Sequence, residues 1–569
     1  MVAGSGLGAP VRALGVTVSR GAKQVLAGVD LTVAGNDRIG VTGPNGIGKS
    51  TLLQVLAGQV TPDSGSVVLT PPSTTVGYLP QEPLRSNEQV RDALVRRTGV
   101  ADGSVDVEAA TAALAAGDEG ADAWFERAWQ RWMGLGGADI DARIGEVWAE
   151  LGLDEHLLDQ STASLSGGEA ARASLAALLL SRYDVYLLDE PTNDLDLDGL
   201  ARLERWISEL RAGVVLVSHD RTFLARTVTS VVEIDEFRHD ITRFNGGWEA
   251  YLVERASARR HAWEAFEDYD AKRQGLAGRA QREREWASQG ASKVKKSGET
   301  DKYIRAFRMN QTEQLAGRAA RTERAMERLD VVDKPREPWR LQFTIGAAPR
   351  GGDVALELRG VEVEVPDPAD GGTRRFRLGP IDLVVGSGER VALLGPNGSG
   401  KTTLLDVALG RRMPDAGSAR IGPSVVVGEI GQVRDELTDA GGEGADAHRP
   451  LLRAFQDITG MDAADARTLL AKFGLVADHV LRAPATLSPG ERTRASLALL
   501  MARHVNLLVL DEPTNHLDLP AIEQLEWALD AFAGTVVLVT HDRSLLDHVR
   551  LTRTIEMADG RLQGQQPRP

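Results

Sequence analysis

Short apolar runs that end on polar chemistry recur along this chain. Val185–Leu188 runs into Asp189-Glu190, and Leu507–Leu510 runs into Asp511-Glu512. Val214–Val217 and Val536–Val539 each lead to a Ser/Thr-His-Asp-Arg stretch. Four consecutive apolar residues with no alternation are the mark of a strand buried on both faces, as in a parallel sheet. Earlier in each half, Val25–Val33 with Arg38–Val41, and Ile381–Val385 with Arg390–Leu394, read as strands that lead into a glycine-rich loop. Helical patterns follow the loops at Ser50–Leu56 and Thr402–Leu409. Each half is predicted to be an α/β domain.

The halves are copies. Gly43-Pro44-Asn45-Gly46-Ile47-Gly48-Lys49-Ser50-Thr51 recurs as Gly395-Pro396-Asn397-Gly398-Ser399-Gly400-Lys401-Thr402-Thr403. Leu-Asp-Glu-Pro-Thr-Asn occurs at 188–193 and again at 510–515. The first copy carries about 30 extra residues between 95 and 150, where Glu108–Ala116 and Ala121–Met133 read as helices around Gly117-Asp118-Glu119-Gly120. This count follows from the wider spacing between loop lysine and late histidine in the first half.

Between the copies the pattern changes. From Glu249 to about Gln289 no proline interrupts a charged stretch in which Trp248, Leu252, Ala256, Trp263, Phe266 and Tyr269 form a loose helical stripe. A second proline-free run, Tyr303 to Leu329, carries Phe307, Leu315, Ala319, Met326 and Leu329. Gly290, Ser292, Ser297 and Gly298 break the pattern between them. The expectation is an antiparallel pair of helices of roughly 40 and 30 residues meeting at a Lys-rich tip. The domains are then 1–245, 246–338 and 339–569.

Charge sharpens this picture. The 569 residues carry a formal net charge of −15, yet residues 271–310 hold eleven Lys and Arg against four carboxylates. Such a local patch suits nucleic acid, whereas the acidic total excludes nonspecific binding over the whole surface. There is no cysteine, which excludes disulfides and thiolate metal sites and suits a reducing cytoplasm. No apolar run is long enough to span a bilayer, and the N-terminus lacks the features of a signal peptide.

Strand, glycine loop and helix together form a phosphate cradle. Loop N–H groups and the helix N-terminus face the phosphates, and Lys49 and Lys401 reach the β/γ-phosphates of ATP. Ser50 and Thr402 are placed to offer hydroxyls to Mg²⁺, and Asp189 and Asp511 carboxylates at their strand ends. Glu190 and Glu512 are placed to polarise the attacking water, and His219 and His541 to contact the γ-phosphate.

Leu165-Ser166-Gly167-Gly168-Glu169 and Leu487-Ser488-Pro489-Gly490-Glu491 complete the set. With the loops, acidic strands and histidines they resemble two ABC-type ATPase domains over some 470 residues. In that family the domains face head to tail and share two ATPs. The resemblance implies that Ser488 and Gly490 complete the Lys49 site, and that Ser166, Gly167 and Gly168 complete the Lys401 site. Gln81 and Gln432 resemble the family's Mg²⁺-sensing glutamines. Asp196 and Asp518 resemble the loop that links the two sites.

There are departures. Pro489 replaces a signature glycine, and Asp194 stands where the second copy has His516. The aromatic residue that stacks on adenine has no counterpart. Arg20 lies near its slot in the first half, and Val363 to Pro366 in the second.

Tandem ABC domains around a basic-tipped helical pair, with no membrane segment, resemble the ABC-F family. That implies a monomer that pairs its own domains and acts on ribosomes as a translation or antibiotic-resistance factor. The tip would touch RNA phosphates through Lys293, Lys295, Lys296, Lys302, Arg305 and Arg308, with binding that falls with salt. The competing reading is the ATPase subunit of an exporter with a separate membrane protein. Such a subunit has no use for a long basic insertion.

Overall fold

The computed structural model describes residues 11–21, 23–80, 86–165, 167–193, 195–235, 238–296, 321–322, 324–326, 328–329, 352–366, 375–430, 437, 449–487, 489–514 and 517–567. Two compact units emerge. One joins Met1–Trp248 with Trp339–Pro569, and the other is Glu249–Pro338.

In the first unit each half of the chain builds the same pair of sheets. Strands β1 (Val11–Arg20), β2 (Lys23–Val33) and β4 (Ser64–Leu69) form an antiparallel sheet in the order β2-β1-β4. The six-stranded sheet follows the order β5-β6-β7-β3-β8-β9. It comprises β3 (Arg38–Thr42), β5 (Val76–Leu79), β6 (Val185–Asp189), β7 (Gly213–Val217), β8 (Ser230–Ile234) and β9 (Ile241–Asn245). The first five are parallel and β9 closes the edge antiparallel to β8. The second half repeats this. β10 (Val354–Pro366), β11 (Arg375–Gly386) and β13 (Ala416–Ile421) make the small sheet. β12 (Arg390–Leu394), β14 (Val427–Glu429), β15 (Leu507–Asp511), β16 (Thr535–Val539), β17 (Arg553–Ala558) and β18 (Arg561–Pro567) make the large one.

The apolar runs are central strands because both their faces are covered. Every residue of β6, β7 and β16 is buried. One face of the first large sheet packs on a core that includes Val41, Leu52, Leu187 and Val217. A separate core around Phe455, Phe473 and Leu525 lies under the other face of the second. An arginine at the start of each P-loop strand, Arg38 buried and Arg390 half-buried, ties down a helix end. Arg38 donates to Ile207 O at 3.1 Å and Ala212 O at 2.7 Å, and Arg390 donates to Leu529 O and to Phe532 O. These bonds satisfy carbonyls that a helix end leaves without partners.

The extra segment of the first half is two helices, Val100–Ala116 and Ala121–Gly134. The first starts eight residues earlier than its sequence pattern indicates. Gly99, left-handed at φ 76, ends the preceding helix and lets the next begin at once.

One helix, which from Glu249 onward belongs to the second unit, runs from Gly247 to Lys296, 50 residues and about 75 Å at 1.5 Å per residue. Gly290 and Ser292 lie inside it, so the expected break there is corrected. A single Gly costs a helix about 1 kcal/mol, which a long helix absorbs. Lys293, Lys295 and Lys296 therefore sit on its last turns. The expected stripe is also displaced. Tyr251 is buried, whereas Leu252 is 40% exposed and Ala256 faces solvent. Trp263 and Phe266 meet edge-to-face at 6.1 Å. Helical turns recur at 321–322 and 324–326. Lys302, Tyr303, Arg305, Phe307 and Arg308 lie outside the described residues.

Candidate functional site

The helices Lys49–Leu56 and Lys401–Ala408 follow their glycine loops directly. Gly48 caps the first at φ 121, and a Cβ there would stand 2.6 Å from Val25 Cγ1. Gly400 caps the second at φ 97, where a Cβ would press on Leu378 and Phe376. Only glycine lets these loops close around an anion at a helix N-terminus.

Lys49 is buried. Its Nζ donates to Gly43 O at 2.7 Å, to Pro44 O and to Asn45 Oδ1. Lys401 Nζ donates to Gly395 O at 2.7 Å and Pro396 O at 2.9 Å. Burial lowers the proton affinity of both lysines, opposed chiefly by Glu190 at the first and Glu512 at the second. Both are thus held inside a loop by its carbonyls, and Lys49 faces a cleft.

The acidic pairs stand where β6 and β15 end. Asp189 accepts hydrogen bonds from Ser50 and from Tyr78 Oη, the latter at 3.3 Å. Thr402 Oγ1 donates to Asp511 Oδ2 at 2.9 Å. A hydroxyl paired with a carboxylate is a hard oxygen donor set of the kind Mg²⁺ takes when phosphates supply other ligands. Among the described residues no cluster of three or more His, Asp or Glu forms a separate metal cage.

Glu190 and Glu512 are held in left-handed backbone, φ 51 and 43. Non-glycine residues adopt it only when their surroundings impose it, and such residues concentrate at functional sites. Neither oxygen of the Glu190 carboxylate has a hydrogen-bond partner, although His219 Nε2 approaches Oε1 to 3.1 Å. Glu512 Oε1 likewise has none, and Oε2 accepts from His541 N at 3.3 Å. Burial raises both carboxyls, Glu512 to about 8. It also pushes the imidazoles down, His219 to about 3 and His541 to about 4. Glu190, buried, and Glu512, half-buried, thus sit beside neutral histidines as carboxyls that take up a proton readily, with oxygen lone pairs left for water.

The two halves complete each other. Asp196 Oδ1 accepts from Gly199 N and caps helix Leu197–Glu209, while its Oδ2 accepts from Asn397 N in the second glycine loop at 3.2 Å. Asp518 does the reverse. Oδ1 caps Leu519–Ala531 through Ala521 N, and Oδ2 accepts from Asn45 N at 3.1 Å. A Cβ on Gly168 would lie 3.2 Å from Asn397 Cβ, so the first signature stretch meets the second loop. The first cleft, ≈ 440 Å³, is lined by Arg20, Lys49, Gln54, Glu190 and His219, and by Thr514 from the other half.

Ion pairs repeat the exchange. Arg221 reaches Glu526 at 3.2 Å, and Arg543 reaches Glu204 at 2.7 Å. The four residues occupy matching places in the repeats, so the pairs are related by the pseudo-two-fold of the duplication.

Gly43, Gly46, Thr51, Gly398 and Thr403 lie in or just after the loops, as expected. Gly167 begins its helix, and Gly490 follows Pro489 at the start of the other. Ser166, Ser488, Gln81 and Gln432 fall outside the described residues. Sequence reasoning missed Tyr78, Gln54, Thr514 and the four ion-pair residues. Thr514 had a signal, being inside the repeated Leu-Asp-Glu-Pro-Thr-Asn.

Residues 26–193 and 378–515 match the ABC transporter family. The chain is 35% identical to the tylosin resistance ATP-binding protein TlrC of Streptomyces fradiae, over 93% of this chain and 94% of that protein. It is 31% identical to the energy-dependent translational throttle protein EttA of Mycobacterium tuberculosis, over 94% of this chain and 88% of that one. With ABC transporter F family member 5 of Arabidopsis thaliana it shares 29% identity over 98% and 76%. Among the described residues no helix is long and apolar enough to cross a membrane. With two cross-completed nucleotide clefts on one polypeptide, the chain belongs to the ABC ATPases and, within them, to the ABC-F family.

Proposed function

We infer that ATP closes the two nucleotide domains, and that the closed form binds the ribosome and protects translation from an inhibitor. The observation that carries this reading is the exchange of Asp196 and Asp518 between the two glycine loops. A cleft completed by the opposite half is filled only when the halves meet, so nucleotide occupancy is coupled to domain pairing. The near full-length similarity to a tylosin resistance protein supports the target.

In this reading the domains are 1–245, 246–338 and 339–569. Lys49, Lys401 and the loop glycines, with Asn45 and Asn397, hold the phosphates. Ser166, Gly167 and Gly168 close the Lys401 site, and Ser488 and Gly490 the Lys49 site. Mg²⁺ would be held by Ser50 and Asp189 in one site and Thr402 and Asp511 in the other, with Gln81 and Gln432 nearby. It supplies charge neutralisation on the phosphates. Glu190 and Glu512 accept a proton from the attacking water. His219 and His541, neutral, donate toward the γ-phosphate side. Lys293, Lys295, Lys296, Lys302, Arg305 and Arg308 contact rRNA or tRNA phosphates near the exit and peptidyl-tRNA sites. The protein works as a cytoplasmic monomer.

The test is ribosome co-sedimentation of the Glu190→Gln, Glu512→Gln variant. In ATP at low salt it should pellet with ribosomes and release as salt rises. Sedimentation free of ribosomes at low salt refutes the reading. In a tylosin-sensitive bacterium the wild type should raise the inhibitory concentration, and deletion of 291–300 should abolish that protection. Similarity to a translational throttle protein supports a second reading, translation control without resistance. It predicts ribosome binding with no change in inhibitory concentration.

A further inference from the structure

The outer end of the first cleft is built unlike its inner end. The inner end carries the charges that suit a triphosphate: Lys49, Asp189, Glu190 and the His219 ring. A nucleotide with its phosphates there leaves its base to the remaining lining side chains, among them Arg20, Val25 and Gln54. No Phe, Tyr or Trp is among the described residues lining this cleft. Arg20, at the last residue of β1, is the one delocalised planar cation there. Its Nη2 donates to Gln54 Oε1 at 3.2 Å, which fixes the guanidinium to the helix that follows the glycine loop. Gln54 in turn hydrogen-bonds Tyr78, and Tyr78 Oη donates to Asp189. The base end is thereby wired to the carboxylate at the phosphate end.

Among the described residues the second half has no such arrangement. In the β10–β11 ladder the terminal pair is Pro366 with Arg375, where the first half has Arg20 with Lys23. The place of Gln54, five residues after the loop lysine, is taken by Asp406, which pairs with Arg411 at 3.3 Å. Arg411 also pairs with Glu429.

We propose that Arg20 is the base platform of the first nucleotide site, that Gln54 holds it flat, and that this site therefore accepts any purine triphosphate. This rests on the assignment of the cleft to ATP. A guanidinium plane stacks on a purine face whatever its edge carries. Gln54 is oriented by its bonds to Arg20 and Tyr78 rather than by the base edge where adenine and guanine differ.

The test uses the full chain with Lys401→Ala, so that the first site is read alone. Binding of ATP, GTP and inorganic tripolyphosphate is measured by calorimetry in Mg²⁺. ATP and GTP should bind within about 3-fold of each other. Arg20→Ala should weaken both by roughly 3- to 30-fold, the range of an exposed to desolvated cation–π contact. Tripolyphosphate, which has no base, should be unchanged. Arg20→Lys keeps the charge and loses the plane, so it should behave as Arg20→Ala, whereas Arg20→Tyr should restore nucleotide affinity. The proposal is overturned if Arg20→Lys binds as wild type, or if tripolyphosphate weakens with ATP, because Arg20 then acts on phosphates as a charge. It is also overturned if wild-type affinity for ATP exceeds that for GTP more than about 30-fold. If neither nucleotide nor tripolyphosphate binds, the assignment of the cleft itself fails, and the proposal with it.

Discussion

Removing the exchanged arginines should unlatch the domains without touching either glycine loop. Arg543 lies 2.7 Å from Glu204, and Arg221 lies 3.2 Å from Glu526. At an effective dielectric of about 20 the bare attraction is roughly 5–6 kcal/mol per pair, before desolvation and side-chain entropy are subtracted. Glu526 is 6% and Glu204 15% exposed, so most of that subtraction has already been made in the paired state. What remains after truncation is a buried carboxylate without its main partner, a loss of about 3 kcal/mol when nothing replaces it. Glu204 keeps Arg226 at 3.1 Å, whereas Glu526 keeps only His548 at 3.7 Å among the described residues. Arg221→Ala should therefore weaken closure more than Arg543→Ala, by about 3 against about 2 kcal/mol. The lack of native cysteine makes the assay direct. Cysteines introduced at the exposed Val105 and Met413 carry a dye pair, and energy transfer is titrated with ATP in the Glu190→Gln, Glu512→Gln background. The double arginine variant should need at least about 100-fold more ATP for half-maximal closure, and Glu526→Ala should add little to Arg221→Ala. Closure at wild-type ATP concentration, or full additivity of Arg221→Ala with Glu526→Ala, refutes the reasoning.

Two more outcomes are expected. Gly48→Ala drives a Cβ against Val25 Cγ1 at 2.6 Å in left-handed backbone. It should reduce ATP binding at the first site by on the order of ten-fold or more, read by calorimetry beside Gly46→Ala, whose Cβ meets nothing within 4 Å. Asp220 caps its helix through Phe223 N, and burial pushes its carboxyl up to about 6. The folded chain then holds a proton that the unfolded chain releases near 3.9, so stability from this group is greatest below that value and falls as pH rises through 6. Asp220→Asn keeps the capping oxygen and removes the titration. Its stabilisation over wild type should grow from pH 4.5 to 7.5 by about 2 kcal/mol, and a calorimetric difference that stays constant with pH contradicts this.

Much of the architecture was legible because its signals are local. Runs such as Val185–Leu188 announce a strand covered on both faces, and the glycine loops announce their own conformation. The cross-half contacts were not legible in the same way. Arg221 and Glu526 are 305 residues apart, and nothing near either names its partner. Tyr78 was hidden because a tyrosine in a short strand reads as core until the strand is placed beside Asp189. The end of the long helix was misplaced because Gly290 and Ser292 are breakers by propensity. Propensity is a small term beside the cooperativity of a long helix.

Asp196 and Asp518 each cap a helix in one half and hold the glycine loop of the other, with their two oxygens divided between the tasks. The two repeats therefore share tenure of both clefts, and neither can drift alone. A substitution at Asp196 is felt first at Lys401, in the other copy. A half separated from its twin would keep a helix cap but only part of a nucleotide site.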